Sequence, residues 1–460
     1  MWSVTVPAAI VLAAGQGTRM RSRLPKVLHP LAGRPMIEHI LATIWQAGAS
    51  PVLVVTGHGA AAVEAVLDGR VTLVRQEPQR GTAHAVELAL GTLDPGASQV
   101  LVTNADAPLL PADDLARLLA AQAAADSPMA LLGARLSEAA GYGRIVRDAG
   151  GACASVVEDS DADATTRAIG EVNVGIYCFA ADWLRAHVGQ VRAGSSGERY
   201  LTDLASTAAA EGRPALVVDA SDPERARGIN DRVQLARAER ELRRIIGERH
   251  MLAGVTIVDP ASTLIDVGVR IGADVRIEPW TILAGDTEIG EEAVIGPDSR
   301  ISDSRIGARA RVFGSWLEEA EVGEDARVGP MSHLRPGSVV GPGSEIGNYA
   351  EVKNSRLGRR VRQHHFGYLG DADVGDEVNV GAGTVTANFD GSQKHRTVIG
   401  EGAFLGVDTT LRAPVRIGKG ARTGAGSVVT RDVPDGRTVV GMPARDIETR
   451  RTRPAAKGDA

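Results

Sequence analysis

The chain has 460 residues, of which 43% are hydrophobic and 23% charged, and a formal net charge of −6. That is room for about three soluble globular domains, with no basic field to attract nucleic acid and no run approaching the ~18 apolar residues of a membrane span. Two cysteines in apolar stretches, Cys153 and Cys178, read as buried thiols and exclude a disulfide framework or a metal-ligating Cys spacing.

The N-terminus lacks a basic segment and its apolar run breaks at Gly15. This predicts no signal peptide and a cytoplasmic location. Residues 1–229 alternate strand-like runs with helical patterns. Residues 8–14, 51–57, 71–76 and 100–106 read as buried strands, and residues 37–48 and 113–125 as helices. Alternation of this kind predicts an α/β domain with a mostly parallel sheet.

The first strand run leads into Leu12-Ala13-Ala14-Gly15-Gln16-Gly17-Thr18-Arg19-Met20, followed by Leu24-Pro25-Lys26. A glycine-rich turn after a buried strand exposes backbone N–H groups that can cradle phosphates. Arg19 and Lys26 add positive charge for a triphosphate and a departing pyrophosphate. The motif is not GxGxxG, so a dinucleotide fold is not supported. A bare GxG would be an ordinary βα turn, but the whole string with its trailing Pro-Lys resembles the signature of sugar-nucleotide pyrophosphorylases.

That resemblance implies a Rossmann-like nucleotidyltransferase domain and Lys26 and Arg19 as its catalytic cations. Leu12, Ala13, Ala14, Gly15 and Lys26 would hold the nucleotide. In Gln76-Glu77-Pro78-Gln79-Arg80-Gly81-Thr82-Ala83-His84, the residues Gln76, Gly81 and Thr82 would read the uracil edge. Asp106, after the strand run 100–106, and Asn230, in Gly228-Ile229-Asn230-Asp231-Arg232, would be Mg²⁺ ligands, oxygen donors that suit this ion beside substrate phosphates. Gly143, in Gly141-Tyr142-Gly143-Arg144, with Glu158 and Asn173, would line the sugar-phosphate site. Glu198-Arg199-Tyr200-Leu201-Thr202-Asp203 matches a further family string with no role assigned.

Residues 231–250 place Leu235, Ala238, Leu242 and Ile245 among many charges. The pattern predicts an amphipathic helix of about 20 residues, roughly 30 Å long, linking two domains. Beyond it an aliphatic residue recurs at every sixth position: Ile265, Ile271, Ile277, Leu283, Ile289, Ile295 and Ile301, later Val322, Val328, Leu334, Val340, Ile346 and Val352, then Ile399, Leu405, Leu411 and Ile417. A period of six fits neither an α-helix nor an alternating strand; it is the mark of a hexapeptide-repeat parallel β-helix. The repeat is interrupted at residues 357–375, rich in His and aromatic residues, and at residues 387–397, a polar loop thrown out of the coil. Residues 446–460 are polar and predict disorder.

The interruptions carry chemistry. Arg335 and Lys353 are cations at hexad positions, able to hold a phosphate. His365 and Tyr368 lie in His364-His365-Phe366-Gly367-Tyr368, and Asn379 in Val378-Asn379-Val380-Gly381-Ala382. Together these segments resemble the acetyltransferase half of the bifunctional N-acetylglucosamine-1-phosphate uridyltransferase/glucosamine-1-phosphate acetyltransferase family, and the full resemblance runs from about residue 8 to residue 445. It implies three parts: residues 1–229 as the uridyltransferase domain, 230–250 as the linker helix, and 251–460 as a left-handed parallel β-helix acetyltransferase domain with a polar tail.

It further implies that His365 is the general base toward the sugar amine. Arg335, Lys353, Tyr368 and Asn379 would hold the amino sugar phosphate, and Ala382, Asn388, Phe389, Val407 and Ala425 would line the acetyl-CoA groove. The residues alone leave His364 and His365 as alternatives; only the spacing to Tyr368 selects His365. The expected small molecules are UTP, N-acetylglucosamine 1-phosphate, glucosamine 1-phosphate and acetyl-CoA, with Mg²⁺ as cofactor and a homotrimer as the assembly. Phe389 stands where the family commonly has Tyr, Val407 where Ser often stands, and Thr103-Asn104-Ala105 replaces an aromatic-Gly entry to Asp106. Gly441-Met442-Pro443-Ala444-Arg445 is closer to other hexapeptide acyltransferases. The rival readings are a single-activity pyrophosphorylase with a purely structural β-helix, and a non-enzymatic assembly subunit.

Overall fold

A computed structural model describes residues 6–67, 69–194 and 197–447. The chain forms two compact units, divided after Leu242 within the helix Arg232–Leu252. The polar tail expected to be disordered falls almost entirely outside the described residues.

In the first unit the main sheet runs in the order Leu216–Asp219, Met129–Arg135, Glu171–Ala180, Gln99–Asn104, Ala8–Ala13, Val52–Thr56, Thr72–Arg75. Along Ala8–Ala13, Ala8 and Ile10 enter one hydrophobic core with Val55, Val102 and Phe179. Ala9, Val11 and Ala13 enter a second core with Ile37, Ile40 and Leu115. The strand reads as continuously apolar because successive side chains point to opposite faces and both faces are covered.

The sheet is more mixed than the sequence suggests. Glu171–Ala180 runs antiparallel to both its neighbours, and the hairpin Gly143–Arg147/Cys153–Val157 is antiparallel as well. The run at 71–76, expected to be buried, is instead an edge strand with Thr72, Leu73 and Arg75 exposed, because it pairs on one side only. Cys153 and Cys178 are buried free thiols, as expected. Ala8–Ala13 lies between Val52–Thr56 and Gln99–Asn104, so the chain order reverses beside it. A crevice opens outside the carboxyl ends of the strands at such a switch point, and that is where the glycine-rich turn and Asp106 sit.

Among the described residues the second unit is a parallel β-helix with three faces of twelve, ten and nine strands, in which only the last strand of the first face, Arg445–Asp446, runs antiparallel. Each strand is only two to four residues long. The hexad aliphatics stack inward from coil to coil, as in Ile277 on Ile295 and Leu283 on Ile301; Ile271, on the first coil, is only half-buried. At the corners the coils approach closely: a Cβ on Gly290 would lie 2.6 Å from the Ala308 nitrogen, so no larger residue fits there. The polar insertion leaves the coil after Ala387 and re-enters at Thr397, where Ala372, Asp373 and Val374 receive it in register.

Candidate functional sites

Two clefts in the first unit share a wall at Asp106. The larger, of about 550 Å³, runs along the glycine-rich turn and past Gln76, Gly81 and Thr82. The smaller, of about 260 Å³, is lined by Gly143, Glu158, Asn173 and Asn230. The sequence-predicted nucleotide and sugar residues thus separate onto two adjoining pockets.

At the junction the Lys26 ammonium donates to Asp106 Oδ2 at 2.5 Å and to Asn230 Oδ1 at 3.1 Å, and Arg19 donates to the same Asn230 oxygen at 2.9 Å. A carboxylate oxygen and an amide oxygen therefore converge on one cationic nitrogen. Gly228 makes this possible, since a Cβ there would stand 3.1 Å from Asp106 Oδ1. The Asp106 carbonyl is fixed by the Ile229 N–H at 2.8 Å, which ties the strand end carrying Asp106 to the segment carrying Asn230. Among the described residues no group of three or more His, Cys, Asp or Glu is arranged to hold a metal ion by itself. Mg²⁺ does not need one, because it keeps waters and takes one or two carboxylate or carbonyl oxygens with substrate phosphates.

The loop that carries Gly81 and Thr82 is held from behind. Gly81 has φ +95°, and a Cβ on it would lie 2.5 Å from the Arg199 carbonyl oxygen. Arg199 accepts from Ala83 N–H, donates its own N–H to Arg80, and closes an ion pair with Glu87 at 2.6 Å. The Leu201 N–H donates to Thr82 Oγ1 at 2.9 Å. The Glu198–Asp203 string is therefore a clamp on the loop that carries Gly81 and Thr82. Gln79, which the sequence reading passed over, donates to the Ala14 carbonyl and joins this loop to the glycine-rich turn. Gln76 is buried and donates to the Gly81 carbonyl at 2.9 Å.

In the smaller cleft, Glu158 accepts from Thr202 at 2.8 Å. Burial holds its carboxyl above the usual carboxylate range; the Thr202 hydrogen bond opposes this, and the nearby Asp203, Asp161 and Glu198 add to it. Asn173 lines the cleft but is buried, with its amide donating to Tyr177 at 2.7 Å and its oxygen accepting from Gly175 N–H at 3.1 Å.

On the β-helix the predicted residues form two columns. Register pairs Arg362 with Asn379, Asn379 with Phe404, and Phe404 with Arg422. Counting forward from each places His365, Ala382, Val407 and Ala425 at one corner of four successive coils. The acetyl-CoA residues inferred from the family thus continue the line that begins at His365. On the neighbouring face, Glu351 pairs with Tyr368 and Lys353 with Gly370, while Arg335 lies one coil before Lys353. Arg335 is paired with Glu351 at 2.7 Å.

Lys394, in the extruded loop, escaped the sequence reading. Its ammonium lies against that of Lys353 and pushes the Lys353 pKa down, with a smaller effect from Arg335. Three cations brought together in this way suit an anionic group such as a phosphate. No periodicity marks Lys394, because the fold of the loop brings it there. Asn388 is mostly buried: it donates to Asp371, which also accepts from Asn354 at 2.5 Å. It anchors the root of the loop. Phe389 is 59% exposed and Val407 48% exposed. His364 is paired with Glu345 at 2.8 Å, whereas the exposed His365 imidazole makes no hydrogen bond among the described residues.

Residues 9–175 match the MobA-like NTP transferase domain, and residues 268–303 and 396–431 match the bacterial transferase hexapeptide repeat. The chain is 46% identical to the bifunctional protein GlmU of Trichlorobacter lovleyi over 94% of its own length and 95% of that protein. It belongs to the bifunctional GlmU family. It is also 46% identical to the GlmU of Thermobifida fusca, over 97% and 94% of the two chains, and 41% identical to that of Brevibacillus brevis, over 93% of each. As a GlmU-family chain it pairs a nucleotidyltransferase unit for uridylyl transfer with a hexapeptide acetyltransferase unit. No helix among the described residues is long and apolar enough to cross a membrane.

Proposed function

We propose that the two reactions of this bifunctional enzyme are carried by the junction of the two N-terminal clefts and by the His365 corner of the β-helix. The enzyme acetylates glucosamine 1-phosphate from acetyl-CoA and then transfers a uridylyl group from UTP to the N-acetylated product, releasing pyrophosphate. The convergence of Lys26, Arg19, Asp106 and Asn230 where the clefts meet carries the uridylyl assignment.

In that reaction the glycine-rich turn and the Gln76–Thr82 loop hold the nucleotide, while Glu158 and Asn173 border the sugar pocket. Asp106 and Asn230 would hold Mg²⁺, which when bound supplies charge neutralisation at the phosphates. Lys26 and Arg19 stabilise the charge that builds as a sugar-phosphate oxygen attacks the α-phosphorus. Positioning and electrostatics supply the rate, and no covalent enzyme intermediate is required.

In acetyl transfer, His365 takes a proton from the sugar amine as it attacks the thioester carbonyl. The free imidazole of His365, against the His364 ring held by Glu345, supports this choice between the neighbours. Arg335, Lys353 and Lys394 hold the phosphate, Tyr368 and Asn379 the sugar. The column Ala382, Val407 and Ala425, with Phe389 beside the loop root, forms the coenzyme groove. Those exposed apolar side chains support completion of the groove by another copy in a homotrimer. We place the enzyme in the cytoplasm, where both co-substrates are available.

The deciding experiment is release of free coenzyme A thiol from acetyl-CoA and glucosamine 1-phosphate without UTP. His365-dependent release is expected. Absence of release, in protein that still forms pyrophosphate from UTP and N-acetylglucosamine 1-phosphate, would leave the β-helix as a scaffold.

A further inference from the structure

One buried polar side chain in the acetyltransferase unit has no part in the assignments above. Gln363 is 1% exposed, and neither its Oε1 nor its Nε2 has a hydrogen-bond partner. It points into the prism between Ile346 and Val380 of the adjoining coils, where an aliphatic side chain would fill the space at lower cost. It also immediately precedes His364 and His365.

The corner that these histidines form is built unlike its neighbours. Register places Gly347, His364, Gly381, Gly406 and Gly424 at the same station of five successive coils. The carbonyls of Gly381, Gly406 and Gly424 accept from Thr384 at 2.7 Å, Thr409 at 2.7 Å and Ser427 at 2.6 Å, and that of Gly347 accepts from Ser332. These hydroxyls lock each corner from inside. The His364 carbonyl accepts no such bond among the described residues. The residue at Thr384's station in its coil is Gly367, where a Cβ would lie 2.8 Å from the Thr384 carbonyl oxygen, so a hydroxyl-bearing residue does not fit. That Cβ position is 3.4 Å from Gln363 Nε2.

We propose that Gln363 is a positioning residue for the His365 turn, its interior carboxamide taking the place of the corner hydroxyl that Gly367 cannot supply. A primary amide carries two N–H donors; neither is bonded directly to another protein group here, and one of them would serve the His364 carbonyl through a single buried water. The bond fixes the rotation of the peptide between His364 and His365, and with it the direction in which the His365 imidazole leaves the corner. The other corners hold only backbone in place; this one holds a base, and small displacements of a reacting group are costly.

This inference rests on His365 being the base, so His365→Ala is assayed in parallel. Gln363→Met in the full chain keeps the length of the side chain and removes both polar atoms. Acetyl transfer is expected to lose about tenfold in kcat, with KM for both substrates within about twofold. Uridylyl transfer should be unchanged, and the thermal midpoint should stay level or rise, because the buried carboxamide is replaced by an apolar side chain. A wild-type kcat in Gln363→Met, or a kcat loss matched by a falling thermal midpoint, overturns the positioning role and reduces Gln363 to packing. If His365→Ala retains acetyl transfer, the base assignment falls and the proposal with it. An inactive His365→Ala beside a fully active Gln363→Met overturns the Gln363 assignment alone.

Discussion

The two candidate sites are made in opposite ways. In the N-terminal unit, residues from distant parts of one chain fold around two adjoining pockets, and every charged group at their junction already has a partner: Lys26 with Asp106, and Arg19 with Asn230. On the β-helix the corresponding residues lie in columns along one corner and the neighbouring face, with His365 and the apolar Phe389 and Val407 open to solvent. A mixed α/β domain can enclose a site alone. A solenoid offers columns and needs a loop or a neighbour to enclose them.

Several experiments would break or sharpen that contrast. Removing divalent cations with a chelator should abolish uridylyl transfer and leave acetyl transfer intact, as followed by pyrophosphate and thiol release; equal loss of both would mean that the sites are not separate. His365→Ala should lower acetyl transfer by about 10²–10⁴-fold and spare uridylyl transfer. Lys26→Ala should do the reverse, by about 10²–10³-fold. A single change that disables both reactions in folded protein would contradict two independent sites.

Gly81→Ala should destabilise the N-terminal unit by about 1–3 kcal/mol, because the new side chain meets the Arg199 backbone at a positive φ. It should also raise the KM for UTP. Unchanged denaturation and unchanged KM would show that the Arg199 clamp is dispensable.

The smallest effect concerns Glu158. Its folded-state pKa is raised, by burial first, so the folded protein holds this proton to higher pH than the unfolded chain. The contribution of Glu158 to stability is therefore greatest below the ordinary carboxylate range and declines as pH rises through the raised folded value. Glu158→Gln removes that decline. The gap in thermal midpoint, variant minus wild type, should widen from about pH 4 to about pH 7. A gap independent of pH would mean that Glu158 titrates as it does in the unfolded chain.

The β-helix is largely legible because its rule is local: a six-residue period puts Ile277, Ile295 and their kin inside; the strand register, rather than that period, brings His365, Ala382, Val407 and Ala425 to one corner. The glycine-rich turn is legible because a single string carries both the glycines and Lys26. What escaped depends on contacts across long stretches of chain. Nothing near Arg199 announces that its backbone backs Gly81, nor anything near Lys394 that its ammonium meets Lys353. Residues 71–76 looked like an interior strand because apolar content does not tell an edge from a centre. Asn173 and Asn388 were read as ligand contacts, but much of their hydrogen-bonding capacity is taken up inside the protein, by Tyr177 and Gly175 in one case and by Asp371 in the other.

The chain leaves the prism after Ala387 and returns at Thr397 with the stacking on both sides undisturbed: Val385 lies on Tyr368, and Thr397 on Ala372. The length of the excursion is thereby uncoupled from the packing of the coils. A longer or shorter segment between Asn388 and Thr397 would alter which groups reach Arg335 and Lys353 without moving any interior side chain. The β-helix unit thus keeps most of its candidate site on a fixed scaffold and adds the rest, Lys394 and Phe389, on a segment that can be exchanged without rebuilding the scaffold.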